Sequence, residues 1–157
     1  MNNIIRYTST NGRIVLPLTT ETEDGNKIIY NTYKDGIGII TFRAELKTIP
    51  QELFRGSLTL ETISIPSSVK MIDDNAFEKC RHLKKVKLQE GLLSIGERAF
   101  ANTELENVVI PSSVFVVCKF AFSNCPNLTA VKVCKPKSAC VIGKDCFSNS
   151  PTEIAII

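Results

Sequence analysis

The chain offers few groups that could do chemistry. It has one histidine, His82, and six cysteines, Cys80, Cys118, Cys125, Cys134, Cys140 and Cys146. Nucleophilic catalysis of the triad kind needs a nucleophile, a base and a group that orients the base. One histidine without a local motif does not supply that, and Gly-x-Ser-x-Gly is absent. A tetrahedral metal site needs thiolates or imidazoles at short spacings, and no Cys-x-x-Cys occurs. Gly36-x-Gly38 lacks the third glycine and the following helix of a dinucleotide loop, so it reads as a hairpin pair. Asp73-Asp74 reads as turn chemistry rather than as a general acid and base. The expectation is no catalytic residue, no metal and no cofactor.

The cysteines follow a spacing of another kind. Cys80 and Cys125 each stand three residues after a phenylalanine, Phe77 and Phe122. Such a slot wants a small residue that satisfies the backbone of a turn. Asn102 and Thr103 stand near it after Phe100, and Ser150 after Phe147. Cys146 stands where Ala76, Ala99 and Ala121 stand in other units, so it reads as a small buried hydrophobe. Cys134 and Cys140 could close a small loop. The other four read as free thiols, a weak sign of a reducing compartment.

These slots belong to a repeat. Ile72-Asp-Asp-Asn-Ala-Phe77, Ile95-Gly-Glu-Arg-Ala-Phe100, Val117-Cys-Lys-Phe-Ala-Phe122 and Ile142-Gly-Lys-Asp-Cys-Phe147 return at intervals of 23, 22 and 25 residues. Ile49-Pro-Gln-Glu-Leu-Phe54 precedes them by 23. In phase with these run Leu60-x-x-Ile63-x-Ile65, Leu83-x-x-Val86-x-Leu88, Leu105-x-x-Val108-x-Ile110 and Leu128-x-x-Val131-x-Val133, spaced by 23, 22 and 23. Ile-Pro-Ser-Ser-Val stands at 65–69 and again at 110–114. A period near 22–23 residues falls in the range of leucine-rich repeats.

Each unit has a physical reading. Leu-x-x-Val-x-Leu is a short strand, because residues two apart share a face. Proline ends it, having no N–H for a ladder. Ser-Ser-Val-Lys-Met-Ile turns back through a second extended piece. Asp-Asp-Asn-Ala-Phe is a turn or a single helical turn that Asp73 or Asp74 could cap. The phenylalanines, Phe54 included, are read as a buried column and not as an aromatic site. One coil cannot bury its apolar face alone, whereas stacked coils bury a continuous core.

The unit P-S-S-V-x-x-I-x-x-x-A-F-x-x-C-x-x-L-x-x-V-x-L resembles the BspA-type leucine-rich repeat family. It matches best at Pro66–Leu88 and Pro111–Val133. Gln89 replaces the proline in the third unit, and the fifth unit departs most, its strand being hard to place. The expected fold is a β-rich leucine-rich-repeat solenoid, with short parallel strands stacked one per repeat behind an N-terminal β-hairpin cap. The cap is assigned to residues 1–45 and a five-unit solenoid to residues 46–157, as one structural domain. In the cap, Ile4–Ser9 and Arg13–Leu18 flank Asn11-Gly12, and Lys27–Tyr33 and Ile37–Phe42 flank Lys34-Asp35-Gly36. Both are hairpin signals. A cap is required because a terminal coil exposes an apolar cross-section.

Composition sets outer limits. Hydrophobic residues make up 43% of the 157 and charged residues 22%, enough for an ordinary core. No run approaches a membrane span. Residues 1–20 lack a basic start followed by an apolar stretch, so they do not read as a signal peptide.

The formal net charge is +3, and residues 1–45 hold five basic and five acidic residues, so the excess lies in the repeats. Lys79, Arg81, Lys84, Lys85 and Lys87 form one basic group, and Lys132, Lys135, Lys137 and Lys144 a second. They read either as a solvated face or as a stripe for an anionic partner. No aromatic residue interleaves them, which disfavours nucleic acid.

The candidate binding face comprises the residues flanking the middle aliphatic of each strand: Thr62 and Ser64, Lys85 and Lys87, Asn107 and Val109, Ala130 and Lys132. Lys132 is expected in the column of Lys87, two coils away. Val109 would be an apolar centre between charged neighbours, or it reflects strand propensity alone. The family resemblance implies a secreted or cell-surface protein with a protein-binding or adhesion role. The other readings are a structural spacer in a larger assembly and the binding of an anionic polymer such as a polysaccharide.

Overall fold

The computed structural model describes residues 2–134 and 140–156; of Ile156 only the backbone is described. Thirteen strands are formed among the described residues: β1 (Ile4–Ser9), β2 (Ile28–Lys34), β3 (Ile37–Phe42), β4 (Thr48–Ile49), β5 (Leu60–Ser64), β6 (Met71–Ile72), β7 (Lys85–Lys87), β8 (Ser94–Ile95), β9 (Asn107–Ile110), β10 (Val116–Val117), β11 (Ala130–Val133), β12 (Val141–Ile142) and β13 (Glu153–Ile156). Among the same residues there is no helix.

The chain winds as a solenoid in which each coil contributes two parallel strands. The longer ones, β5, β7, β9, β11 and β13, line one side. The two-residue strands lie in the order β12-β10-β8-β6-β4 and line the other. Backbone bonds continue across the gap between the named ladders on the first side. Lys84 N–H donates to Glu61 O (2.9 Å), Glu106 to Lys84 (3.2 Å), Thr129 to Glu106 (3.1 Å) and Glu153 to Thr129 (3.0 Å). The β13 register, Ala130 opposite Glu153 and Val131 opposite Ile154, explains why the fifth strand is hidden in the sequence. By that register Pro151 occupies the slot that Leu128 fills one coil earlier.

Between the two sides lies the core. Phe54, Phe77, Phe100, Phe122 and Phe147 form a column of near-parallel rings, with centroids 5.4, 5.0, 5.2 and 5.6 Å apart. Phe77, Phe100 and Phe122 are fully buried, and Phe147, in the last coil, is half-buried. The phenylalanines are therefore core, as the spacing predicts.

The turn that carries each phenylalanine explains the absence of a helix. From 75 to 80 the backbone N–H groups alternate. Those of Asn75, Phe77 and Lys79 donate to Glu97, Ala99 and Ala101 of the next coil. Those of Ala76, Glu78 and Cys80 donate to Asp73, Asn75 and Phe77 of their own coil. Left-handed residues recur two before each phenylalanine: Glu52 (φ 58), Asn75 (57), Arg98 (51), Phe120 (59) and Asp145 (54). An α-helix requires every φ to be right-handed, so this alternation excludes it. Asp74 caps no helix: its Oδ1 accepts the Glu97 N–H of the following coil at 2.7 Å.

The N-terminal segment continues the longer-strand sheet, which runs β2-β3-β1-β5-β7. β1 pairs antiparallel with both β3 and β5. The β2–β3 hairpin forms as expected around Asp35 (φ 51) and Gly36 (φ 81), two positive values in sequence, as a type I′ turn requires. The hairpin expected at Asn11-Gly12 does not form. Arg13–Leu18 is no strand, and β1 takes its partners elsewhere. Tyr7 directs this: its hydroxyl accepts the Val15 N–H (3.1 Å) and donates to Asn31 Oδ1 (2.8 Å). Its ring lies where any Cβ on Gly38 would stand, 2.1 Å from the ring carbon. Ile5, Tyr7, Val15, Ile40 and Phe42 join Leu53, Phe54 and Leu60 in one continuous core.

Candidate binding face

Strand alternation turns every second residue of the longer strands away from the core, and the ladders set these in rows. One row carries Thr8, Thr62 and Lys85 and continues through Asn107, Ala130 and Glu153. The next carries Arg6, Ser64 and Lys87 and continues through Val109, Lys132 and Ala155. Lys87 and Lys132 share a row two coils apart, as the repeat predicts. Lys85, Lys87, Asn107, Val109, Ala130 and Lys132 are exposed. Thr62 and Ser64 are half-buried because β1 lies beside them, and the Thr8 and Thr62 hydroxyls meet at 2.9 Å. Arg6, from the cap, extends the basic row in a way the repeat pattern alone does not reveal.

The charges on this face are mostly unopposed. Lys84, at its border, reaches Glu61 at 3.7 Å. Among the described residues Arg6, Lys85, Lys87 and Lys132 enter no ion pair. The one carboxylate on either row is Glu153, on the last strand. Lys79, Arg81 and Lys144 are exposed elsewhere on the coils, and Lys135 and Lys137 lie outside the described residues.

The cysteine slots behave as structural positions. Cys80 Sγ donates to Phe54 O (3.0 Å) and Cys125 Sγ to Phe100 O (3.2 Å). In the equivalent places Thr103 Oγ1 donates to Phe100 O (2.9 Å) and Ser150 Oγ to Phe122 O (2.8 Å). Cys80, Cys125 and Ser150 thus donate to the phenylalanine carbonyl of the preceding coil, and Thr103 to that of its own coil. Burial pushes the Cys80 and Cys146 thiols up to about 12. Cys134 is a free thiol, so the loop to Cys140 is not closed by a disulfide.

A second exposed feature escapes a reading of the sequence alone. On the shorter-strand side Met71, Leu93, Phe115 and Val141 are 45, 37, 52 and 65% exposed. Met71 and Val141 lie in one row with Ser94 and Val116, and Leu93 and Phe115 lie in the row one place earlier with Lys70, so the four form a staggered strip. A signal for it exists: each stands one or two places before an inward aliphatic residue. A depression of about 360 Å³ lies beside the cap loop, lined in part by Glu23, Asp24, Lys47 and Asp73. Burial raises the Asp73 carboxyl above its ordinary value, and the charges of Glu23 and Asp74 add to this.

The repeat is matched by a known family and by solved structures. The BspA type Leucine rich repeat region matches residues 30–157 in six copies, beginning inside the segment read from the sequence as the cap. No curated protein matches the chain. A leucine-rich repeat protein from Bacteroides ovatus superposes with a TM-score of 0.61 at 28% identity, over 66% of this chain and 26% of its own. The pneumococcal vaccine antigen PcpA superposes with a TM-score of 0.56 at 20% identity, over 83% of this chain and 39% of its own. The chain thus spans well under half the length of either.

Proposed function

Since the chain belongs to the BspA-type leucine-rich repeat family, we propose that it is a non-enzymatic binding module of the protein-interaction or adhesion kind. It engages its partner through the outward face of β5, β7, β9 and β11. The carrying observation is the alignment of exposed side chains in rows across successive coils, with Val109 between Lys87 and Lys132. Rows of this type present one continuous surface rather than a pocket, which suits an extended partner. The likeness in fold to a leucine-rich repeat protein of Bacteroides ovatus and to a pneumococcal vaccine antigen supports the repeat architecture on which this reading rests.

The test is capture of extracellular-matrix proteins by the intact chain. Val109→Asp combined with Lys87→Glu should abolish capture and leave the thermal midpoint nearly unchanged, since exposed substitutions cost little stability. Unchanged capture removes the strand face from consideration. A chain that only spaces other domains would tolerate every substitution on this face.

A further inference from the structure

We propose that the row formed by Arg6, Lys87 and Lys132 is a track for a linear acidic polysaccharide that carries a carboxylate on every second sugar and lies across the strands. The inference rests on the strand face being the binding surface. Arg6 and Lys87 are separated by one strand, since Ser64 pairs with both. Lys87 and Lys132 are likewise separated by the strand of Val109. At about 4.7–4.9 Å per strand the cations recur every ~9–10 Å along a line parallel to the solenoid axis. None of the three is neutralised by a neighbour among the described residues. Lys85 supplies a fourth free charge one row away.

The residues between the cations fit sugar rings. Ser64 offers a hydroxyl and Val109 an apolar surface, and Thr62, Asn107 and Ala130 in the adjoining row are small or polar. No Trp, Tyr or Phe lies on either row between β1 and β11. Folded protein partners draw most of their binding energy from aromatic and arginine anchors seated in pockets, and this stretch offers no aromatic anchor. Single-stranded nucleic acid needs aromatic platforms for its bases, which are also missing. A flexible chain with evenly spaced anions and polar ring edges meets the charge row directly. The track ends at Ala155, beside Glu153, the carboxylate that closes the adjoining row.

The test uses the intact chain and immobilised hyaluronan, which bears one carboxylate per disaccharide. Neutral dextran and single-stranded DNA serve as comparisons. Binding to hyaluronan that weakens with added salt and is absent from dextran is expected. Lys87→Ala with Lys132→Ala should weaken it roughly fivefold to tenfold, the effect of two exposed ion contacts. Lys79→Ala with Lys144→Ala removes the same charge off the track and should leave it within about twofold of the parent. Equal losses from both pairs, DNA bound as tightly as hyaluronan, or no hyaluronan binding each overturn the proposal. In the last case, if Val109→Asp with Lys87→Glu still abolishes capture of a matrix protein, the strand face stands as a binding surface and only its saccharide partner falls.

Discussion

The phenylalanine of each coil fills the space between the two strand layers and stacks on its neighbours. Such contacts add about 0.5–1.5 kcal/mol per aromatic pair beyond burial itself. Phe100 touches a ring on both sides, at 5.0 and 5.2 Å. Phe100→Ala should cost about 3–5 kcal/mol in urea denaturation, and a loss below about 1 kcal/mol would show that the column does not bear on stability. Asp73 acts the other way. Its carboxyl is raised by burial and by neighbouring negative charge, so the folded state favours the protonated form. The stability tied to that proton is complete below its unfolded value of 3.8 and is lost as pH rises through the higher folded value. Asp73→Asn should therefore be more stable than the parent at pH 7, with the advantage shrinking toward pH 3. Thermal melts at the two pH values decide it.

At the scale of the element, the alternating turn is the feature that most shapes the coil. It sends every second N–H to the next coil and holds a thiol or hydroxyl against a phenylalanine carbonyl. Cys80 and Cys125 share that slot, with Thr103 between them, its hydroxyl 3.3 Å from Cys125 Sγ. Two strand spacings of about 4.7–4.9 Å put the two cysteines beyond the roughly 7 Å that a bridged pair allows. No peptide joining Cys80 to Cys125 should appear by mass spectrometry after oxidation of the folded chain, and one that did would refute the stacking order. The slot itself is legible in the sequence because a fixed offset from the phenylalanine repeats. The same offset of three after Phe100 falls on Thr103, which is the buried residue of the pair Asn102 and Thr103. The turn is legible as a turn, but its left-handed residues include Arg98 and Phe120, types that seldom signal such a conformation. The failed hairpin at Asn11-Gly12 has a similar origin. A local signal for reversal is present, but Tyr7 ties the following residues across the chain and β5 competes for β1. The outward row is readable within the repeats, whereas Arg6 joins it only through the pairing of β1 with β5.

The whole molecule is a stack in which each coil is held by the next. Core positions that are closed in the middle coils are partly open in the last: Ile154 is 47% exposed, while its ladder partner Val131 is fully buried. Phe147 and Ile142 show the same trend. Backbone amides of the fifth coil should accordingly exchange with deuterium before those of the coils carrying Phe77 and Phe100, since local stability follows burial. Uniform exchange across all coils would instead indicate one cooperative unit. The hydrogen bonds between coils point along the axis of the stack, and this has a mechanical meaning. A load applied at the two ends meets these bonds one coil at a time, so the stack peels rather than shears. Each released coil of 22 to 25 residues yields about 70–90 Å of extended chain. Under tension such a stack is expected to lengthen in steps of one coil.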